Sequence, residues 1–131
     1  MALLTQKNVG GTTVTPALAT KVENDLRFDN QYTTDPLATA GLPRIVFWTR
    51  FYGGDGVPSP TVSGVAQFQT AVRTLNGEPD FFTFTQIIVP PGSGISYSFD
   101  FPCIAIRLLF QAPRPGIETV RVNYSLNAYG A

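Results

Sequence analysis

The chain has 131 residues, 44% of them apolar, and its 9 Lys and Arg balance 9 Asp and Glu for a formal net charge of zero. Only 14% of the residues are charged, against about a quarter in an average soluble domain. Lys7 and Lys21 both lie near the N-terminus and the arginines are scattered, so no basic cluster marks a phosphate partner, which argues against nucleic acid.

The length suggests one domain, large enough to fold around a core without covalent staples. There is no histidine, and Cys103 is the single cysteine. That removes the side chain that titrates near neutrality, any intramolecular disulfide and chelation by paired thiolates. Neither enzyme activity, a metal nor a cofactor is expected. Polarity comes instead from Thr, Ser, Asn and Gln, which cost less to desolvate than charges. With no net charge to keep copies apart, this composition suits a subunit docked in an assembly. The N-terminal Met1-Ala-Leu-Leu-Thr-Gln-Lys7 lacks the pattern of a signal peptide. No apolar run reaches the ~18 residues that span a bilayer. A soluble protein made in a cytoplasm, without a membrane partner, is therefore expected.

Residues 1–42 read as an N-terminal arm. Thr5–Thr15 and Asp29–Thr39 are polar stretches. Between them, Pro16–Phe28 fits two patterns. Thr15 could cap a helix with Pro16 in its first turn, Leu18, Val22 and Leu26 on one face, and Glu23 reaching Arg27. Alternatively Leu18, Val22, Leu26 and Phe28 share one side of an extended segment.

From residue 43 onward the sequence is one of strands and tight turns. Pro43–Tyr52 is rich in aromatic and β-branched residues and stops at Gly53-Gly-Asp-Gly56, a turn. Thr61–Leu75 is ambiguous by period. Val65, Phe68, Val72 and Leu75 fit a helix, and Ala66, Phe68 and Val72 fit a strand. The following Asn76-Gly77 decides for a strand and a hairpin, because Asn-Gly is the preferred type I′ pair. Asp80–Val89 is its partner, and Pro90-Pro91-Gly92 ends it. Ile95, Tyr97, Phe99 and Phe101 then alternate with Ser96, Ser98 and Asp100, the period-two signature of a half-buried strand. After Pro102 the alternation resumes with Ile104, Ile106, Leu108 and Phe110. Ala112–Gly116 is a turn, and Ile117–Tyr129 closes the chain with Val120, Val122, Tyr124, Leu126 and Ala128 on one face. Six or more strands separated by Gly/Pro turns predict an all-β chain. The expected architecture is a β-sandwich of jelly-roll type over residues 43–131, behind the 1–42 arm.

Catalytic chemistry finds little purchase. Asp100 and Glu118 are the carboxylates placed on neighbouring strands or their ends, and Asp100 sits on a polar face. One carboxylate in Gly53–Gly56 cannot supply the six to eight oxygens of a calcium site. Pro91-Gly-Ser-Gly94 lacks the lysine of a phosphate cradle. Cys103 has no histidine to activate it and reads as a small buried residue. One surface does draw attention. If Ile45, Phe47 and Phe51 face the core, then Arg44, Val46, Trp48, Arg50 and Tyr52 share the other side. Arg44, Trp48, Arg50 and Tyr52 are the candidate interface or glycan surface, since Trp, Tyr and Arg dominate interface hot spots and an aromatic pair can also stack a sugar.

The stretch from Gly64 to Ala128 resembles the small β-sandwich accessory proteins of tailed-phage virions. The resemblance rests on Val65-Ala-Gln-Phe-Gln69, Asn76-Gly77, Phe81-Phe-Thr-Phe84, Val89-Pro-Pro-Gly-Ser-Gly94 and Phe101-Pro-Cys-Ile-Ala-Ile-Arg107. It covers about half the chain. It implies a head decoration or cement protein that acts through contact area and brings no catalytic residues. The implied partners are the major capsid protein or other virion subunits, in a homo-oligomer that is often a trimer, located in the virion. Carbohydrate-binding sandwiches share the same texture and supply the second reading.

Overall fold

A computed structural model describes residues 6–7, 13–14, 18–53, 64–90, 94–113, 116 and 119–130. Among them are eleven strands and no helix: β1 (Gln6–Lys7), β2 (Thr13–Val14), β3 (Leu18–Phe28), β4 (Gln31–Thr33), β5 (Leu37–Ala38), β6 (Arg44–Gly53), β7 (Gly64–Leu75), β8 (Glu78–Val89), β9 (Ile95–Asp100), β10 (Ala105–Gln111) and β11 (Val120–Tyr129). β1 and β2 pair with each other. The rest form two antiparallel sheets, β3-β11-β6-β9 and β4-β10-β7-β8, with β5 also on β10. β4 and β5 are two pieces of one strand, interrupted around Pro36, whose missing N–H cannot continue a ladder. Counted so, one sheet holds strands one, eight, three and six, and the other holds two, seven, four and five. That order is the jelly roll, two Greek keys folded into a sandwich.

The arm expected over residues 1–42 is corrected. Residues 18–42 belong to the sandwich: β3 runs along β11 from Leu18↔Tyr129 to Phe28↔Val120, and β4 and β5 line β10. The helical reading of Pro16–Phe28 falls with it. Periodicity misled because the β3–β11 register shifts between Val122 and Tyr124, where Asp25 takes φ 63°. Such a bulge moves later side chains to the other face. Leu18 and Val22 are therefore exposed, whereas Phe28 is buried and Leu26 packs against the core.

Elsewhere the alternation holds. Ile45, Phe47 and Phe51 are fully buried on β6, as are Val120, Val122, Tyr124, Leu126 and Ala128 on β11. The β7–β8 hairpin turns at Asn76 and Gly77 with φ 54° and 83°, the pair of positive values a type I′ turn requires. Two details depart from expectation. Val72 is 53% exposed, because the β10 ladder on β7 ends at Ala71 and the hairpin runs on past the sandwich. Ile104 is exposed while Cys103 is buried, because the chain bends there before β10 begins. Thr39 holds that bend, donating its hydroxyl to the Cys103 carbonyl at 2.5 Å.

The core is aromatic at its centre. Phe47 meets Phe68 edge to face at 5.0 Å across the two sheets, and Phe110 lies 5.9 Å from Phe51 and 5.3 Å from Tyr124. Such pairs add about 0.5–1.5 kcal/mol each beyond the area they bury.

Candidate functional site

On β6 every second residue faces outward, and the structure brings Arg44, Trp48, Arg50 and Tyr52 into one row on the outer side of the β3-β11-β6-β9 sheet. Arg44 is exposed and the other three are half-buried. The neighbouring strands flank that row with small polar side chains. Across β6 on the β9 side stand Ser96 opposite Trp48, Ser98 opposite Val46 and Asp100 opposite Arg44. On the β11 side stand Asn123 opposite Arg50, Ser125 opposite Trp48 and Asn127 opposite Val46. Asp100 accepts a hydrogen bond from Arg44 Nε at 3.3 Å, and Thr20 of β3 donates to Asn127 Oδ1 at 3.0 Å. Further along the face, the backbone N–H of Asp25 donates to Asn123 Oδ1 at 2.7 Å. Arg121 Nε donates to the Asp25 carboxylate, whose pKa this contact holds below the usual value.

Trp48 has a prepared seat. A Cβ on Gly94 would lie 2.8 Å from the indole Nε1 and 3.2 Å from Cε2, so only a glycine lets the backbone approach the indole edge this closely. Beside it, Arg44, Val46, Ser98, Phe99 and Asp100 line a cavity of about 450 Å3. The parity of β6 in the sequence was enough to find Arg44, Trp48, Arg50 and Tyr52. Ser98, Asp100 and Asn127 escaped notice as members of the same site, because only the long-range pairing of β9 and β11 with β6 brings them there.

The adjoining rim is apolar. β8 and β9 are outer strands of different sheets that meet along one side of the sandwich. Phe84 stacks on Phe101 at 4.5 Å and tilts against Phe99 at 5.0 Å, Phe82 meets Phe101 at 6.2 Å, and Phe99 meets Phe68 at 5.2 Å. The ladder of rings runs from the core to the surface, where Phe82 is 44% exposed. On the outer face of the same sheet Arg107 lies over the Phe81 ring, 4.1 Å from its centroid, and donates to Gln69 Oε1 at 2.7 Å.

Among the described residues no three His, Cys, Asp or Glu side chains cluster as metal ligands would. Burial pushes the Cys103 thiol pKa up, away from a reactive thiolate. Asp100 is engaged with Arg44. Glu118, Gly54–Gly56 and residues 91–93 lie outside the described residues. No described helix is long and apolar enough to cross a membrane.

No family model and no curated protein matches the chain. Solved structures match it in fold. A chain of tripeptidyl peptidase 2 superposes with a TM-score of 0.55 at 10% identity, over 85% of this chain and 10% of the peptidase chain. A chain of the infectious bursal disease virus Gx strain superposes at 0.52 and 14% identity, over 92% of this chain and 35% of the viral one. The C-terminal family 22 carbohydrate binding module of Clostridium thermocellum Xyn10B reaches 0.45 at 10% identity, over 87% of this chain and 82% of that module. This chain thus spans a small part of the first two. At these identities the likeness is one of sandwich fold.

Proposed function

We propose that this chain is a non-catalytic structural subunit of a virus particle, a decoration or cement protein that stabilises a phage capsid through contacts with the major capsid protein and with its own copies. The observation that carries this reading is β8. It is twelve residues long, pairs among the described residues on one side only, with β7, and has no charged residue from Phe81 to Val89. An outer strand with an uncharged, proline-free run of this length, here Phe81–Val89 after Glu78-Pro79-Asp80, is a template for pairing with another chain, which monomeric proteins avoid. Here it comes with Phe82, Phe84 and Ile88 exposed by 44%, 36% and 72%. A partner strand laid along β8 would satisfy its free N–H and C=O groups while covering those side chains. Viral shells use the jelly roll widely, and many symmetric copies multiply a modest contact through avidity.

Density-gradient fractionation of the native source, with peptide mass spectrometry, tests the reading. A structural subunit bands with large particles at high copy number. A chain that stays at the top of the gradient ends the proposal. The mechanism is tested by Gln86→Lys with Ile88→Lys, two exposed positions on β8. Exposed substitutions of this kind shift stability by no more than about 0.5 kcal/mol, yet edge lysines block strand pairing. The double variant is expected to fold normally and to leave the particle fraction; retention there would remove β8 from the interface.

A further inference from the structure

We infer that the outer face of the β3-β11-β6-β9 sheet binds a neutral oligosaccharide, one pyranose ring lying on Trp48 and the next seated in the cavity between Val46 and Ser98. The inference is independent of the virion reading: it uses the outer face of this sheet, where β9 turns Ser96, Ser98 and Asp100 outward while its Phe99 packs toward β8.

A pyranose presents apolar C–H groups on its faces and hydroxyls around its rim. Its complement is an aromatic surface set among uncharged donors and acceptors. Trp48 supplies the surface. Both of its cross-strand neighbours are serines, Ser96 and Ser125, too small to cover an indole, and Gly94 supports its edge at a distance no larger residue permits. Around it Ser96, Ser98, Asn123, Ser125 and Asn127 offer hydroxyl and amide groups that can both give and accept hydrogen bonds.

The second ring position follows from strand geometry. Each step of two residues along β6 advances about 7 Å, so Val46 and then Arg44 follow Trp48 at intervals that admit a sugar ring. The cavity of about 450 Å3 lies on those two steps, within the ~300–1,000 Å3 usual for small-ligand sites. Val46 and Ser98 face each other across its floor, and the Arg44–Asp100 pair, 3.3 Å apart, borders it. A pair of opposite charges already joined can accept from one sugar hydroxyl and donate to the next without favouring a charged ligand. At this ring position a uronate meets a cation already paired with a carboxylate, which favours a neutral sugar there. That balance also separates this face from a protein-docking surface, for the exposed aromatic rings gather at the β8 rim.

The test is titration calorimetry of the full chain with cellohexaose, mannohexaose, xylohexaose, maltohexaose and chitohexaose, and with tetragalacturonate as the anionic control. Trp48 is the single tryptophan, so its fluorescence reports the same binding. Saturable binding of at least one neutral hexaose is expected, with a change in Trp48 emission. Trp48→Ala should weaken it by at least about tenfold, a loss of about 1.4 kcal/mol, and Trp48→Phe should weaken it less. Ser98→Leu, at an exposed position on β9, should block the cavity while leaving Trp48 and the core untouched. No binding of any neutral hexaose at millimolar concentration overturns the inference. So does binding that survives both Trp48→Ala and Ser98→Leu, or binding of tetragalacturonate in preference to every neutral probe. A Trp48→Ala chain that binds sugar normally but sediments at a different mass makes the face a protein contact instead.

Discussion

A sandwich has two open sides where the outer strands of its sheets meet, and this one closes them with opposite chemistry. On the β8/β9 side, Phe82, Phe84, Phe99 and Phe101 stack in a continuous ladder onto core residue Phe68. On the β3/β4 side, β3 turns two charged residues inward. Lys21 and Glu23 alternate with exposed Val22 and pair with each other at 3.5 Å. Glu23 Oε2 and the hydroxyl of Tyr124 are buried there without hydrogen-bond partners among the described residues. Inward-pointing charges and a bulge are the devices that stop an outer strand from recruiting another chain, and β3 has both. β8 also carries register shifts, yet its apolar run from Phe81 to Val89 has no charge to discourage a partner. The difference is what the proposed assembly would use: the β3 side carries devices that discourage a neighbour, and the apolar run of β8 carries no charge.

The largest effect should come from breaking the aromatic side at its root. Phe68 is fully buried and touches Phe47, Tyr97 and Phe99 at 5.0, 5.7 and 5.2 Å. Phe68→Ala removes a ring that both sheets share, and a loss of about 3–5 kcal/mol is expected from denaturant midpoints. A loss below about 1 kcal/mol would mean that the ladder collapses to fill the gap and contributes little order.

A smaller effect on stability, with a larger one on behaviour, is expected on the polar side. Lys21→Met with Glu23→Leu replaces a partly buried ion pair by apolar groups, a change that is often neutral or stabilising by about 1–4 kcal/mol. Its predicted consequence lies elsewhere: without inward charges β3 becomes a second unprotected edge. Light scattering should show more self-association than the unaltered chain gives at equal concentration. A variant that stays dispersed would shift the protective role to the Asp25 bulge.

How much of this was legible in the sequence depended on the range of the information. Parity within a strand is local, so the outward row Arg44, Trp48, Arg50 and Tyr52 and the buried row of β11 could be read directly. The Asn76-Gly77 turn could be read too, because it encodes its own backbone geometry. Residues 18–42 were misjudged because nothing local distinguishes an arm from an outer strand. Their order comes from pairing with β11 and β10, some 70 to 110 residues away in sequence, and the Asp25 bulge scrambles the alternation that would have signalled it. The candidate site was half visible for the same reason. Its aromatic row lies on one strand, whereas Ser98 and Asn127 join it across two sheet pairings.

The smallest expected change at neutral pH, and the most specific to the polar side, concerns Tyr124. Burial pushes its phenol pKa far above the usual value near 10, and the negative charge of Glu23 pushes it further the same way. The folded chain therefore keeps this proton at pH values where the unfolded chain releases it. The neutral phenol's contribution is fully present below about pH 10 and is lost progressively as the pH rises beyond it. Tyr32 and Tyr129, also raised mainly by burial, act in the same direction. Tyr124→Phe keeps the ring against Phe110 and removes a buried hydroxyl that has no partner among the described residues. Near pH 7 its stability should match the unaltered chain or slightly exceed it, since an unmade buried hydrogen bond contributes only cost. Above about pH 10 the variant should lose stability more slowly, the residual slope belonging to the other two tyrosines. Urea midpoints measured from pH 7 to pH 11 separate the cases. Parallel curves for the two proteins would show that water reaches the Tyr124 hydroxyl, and with it the space between β3 and β4, and the contrast between a wet side and a dry one would then rest on solvent rather than on charge.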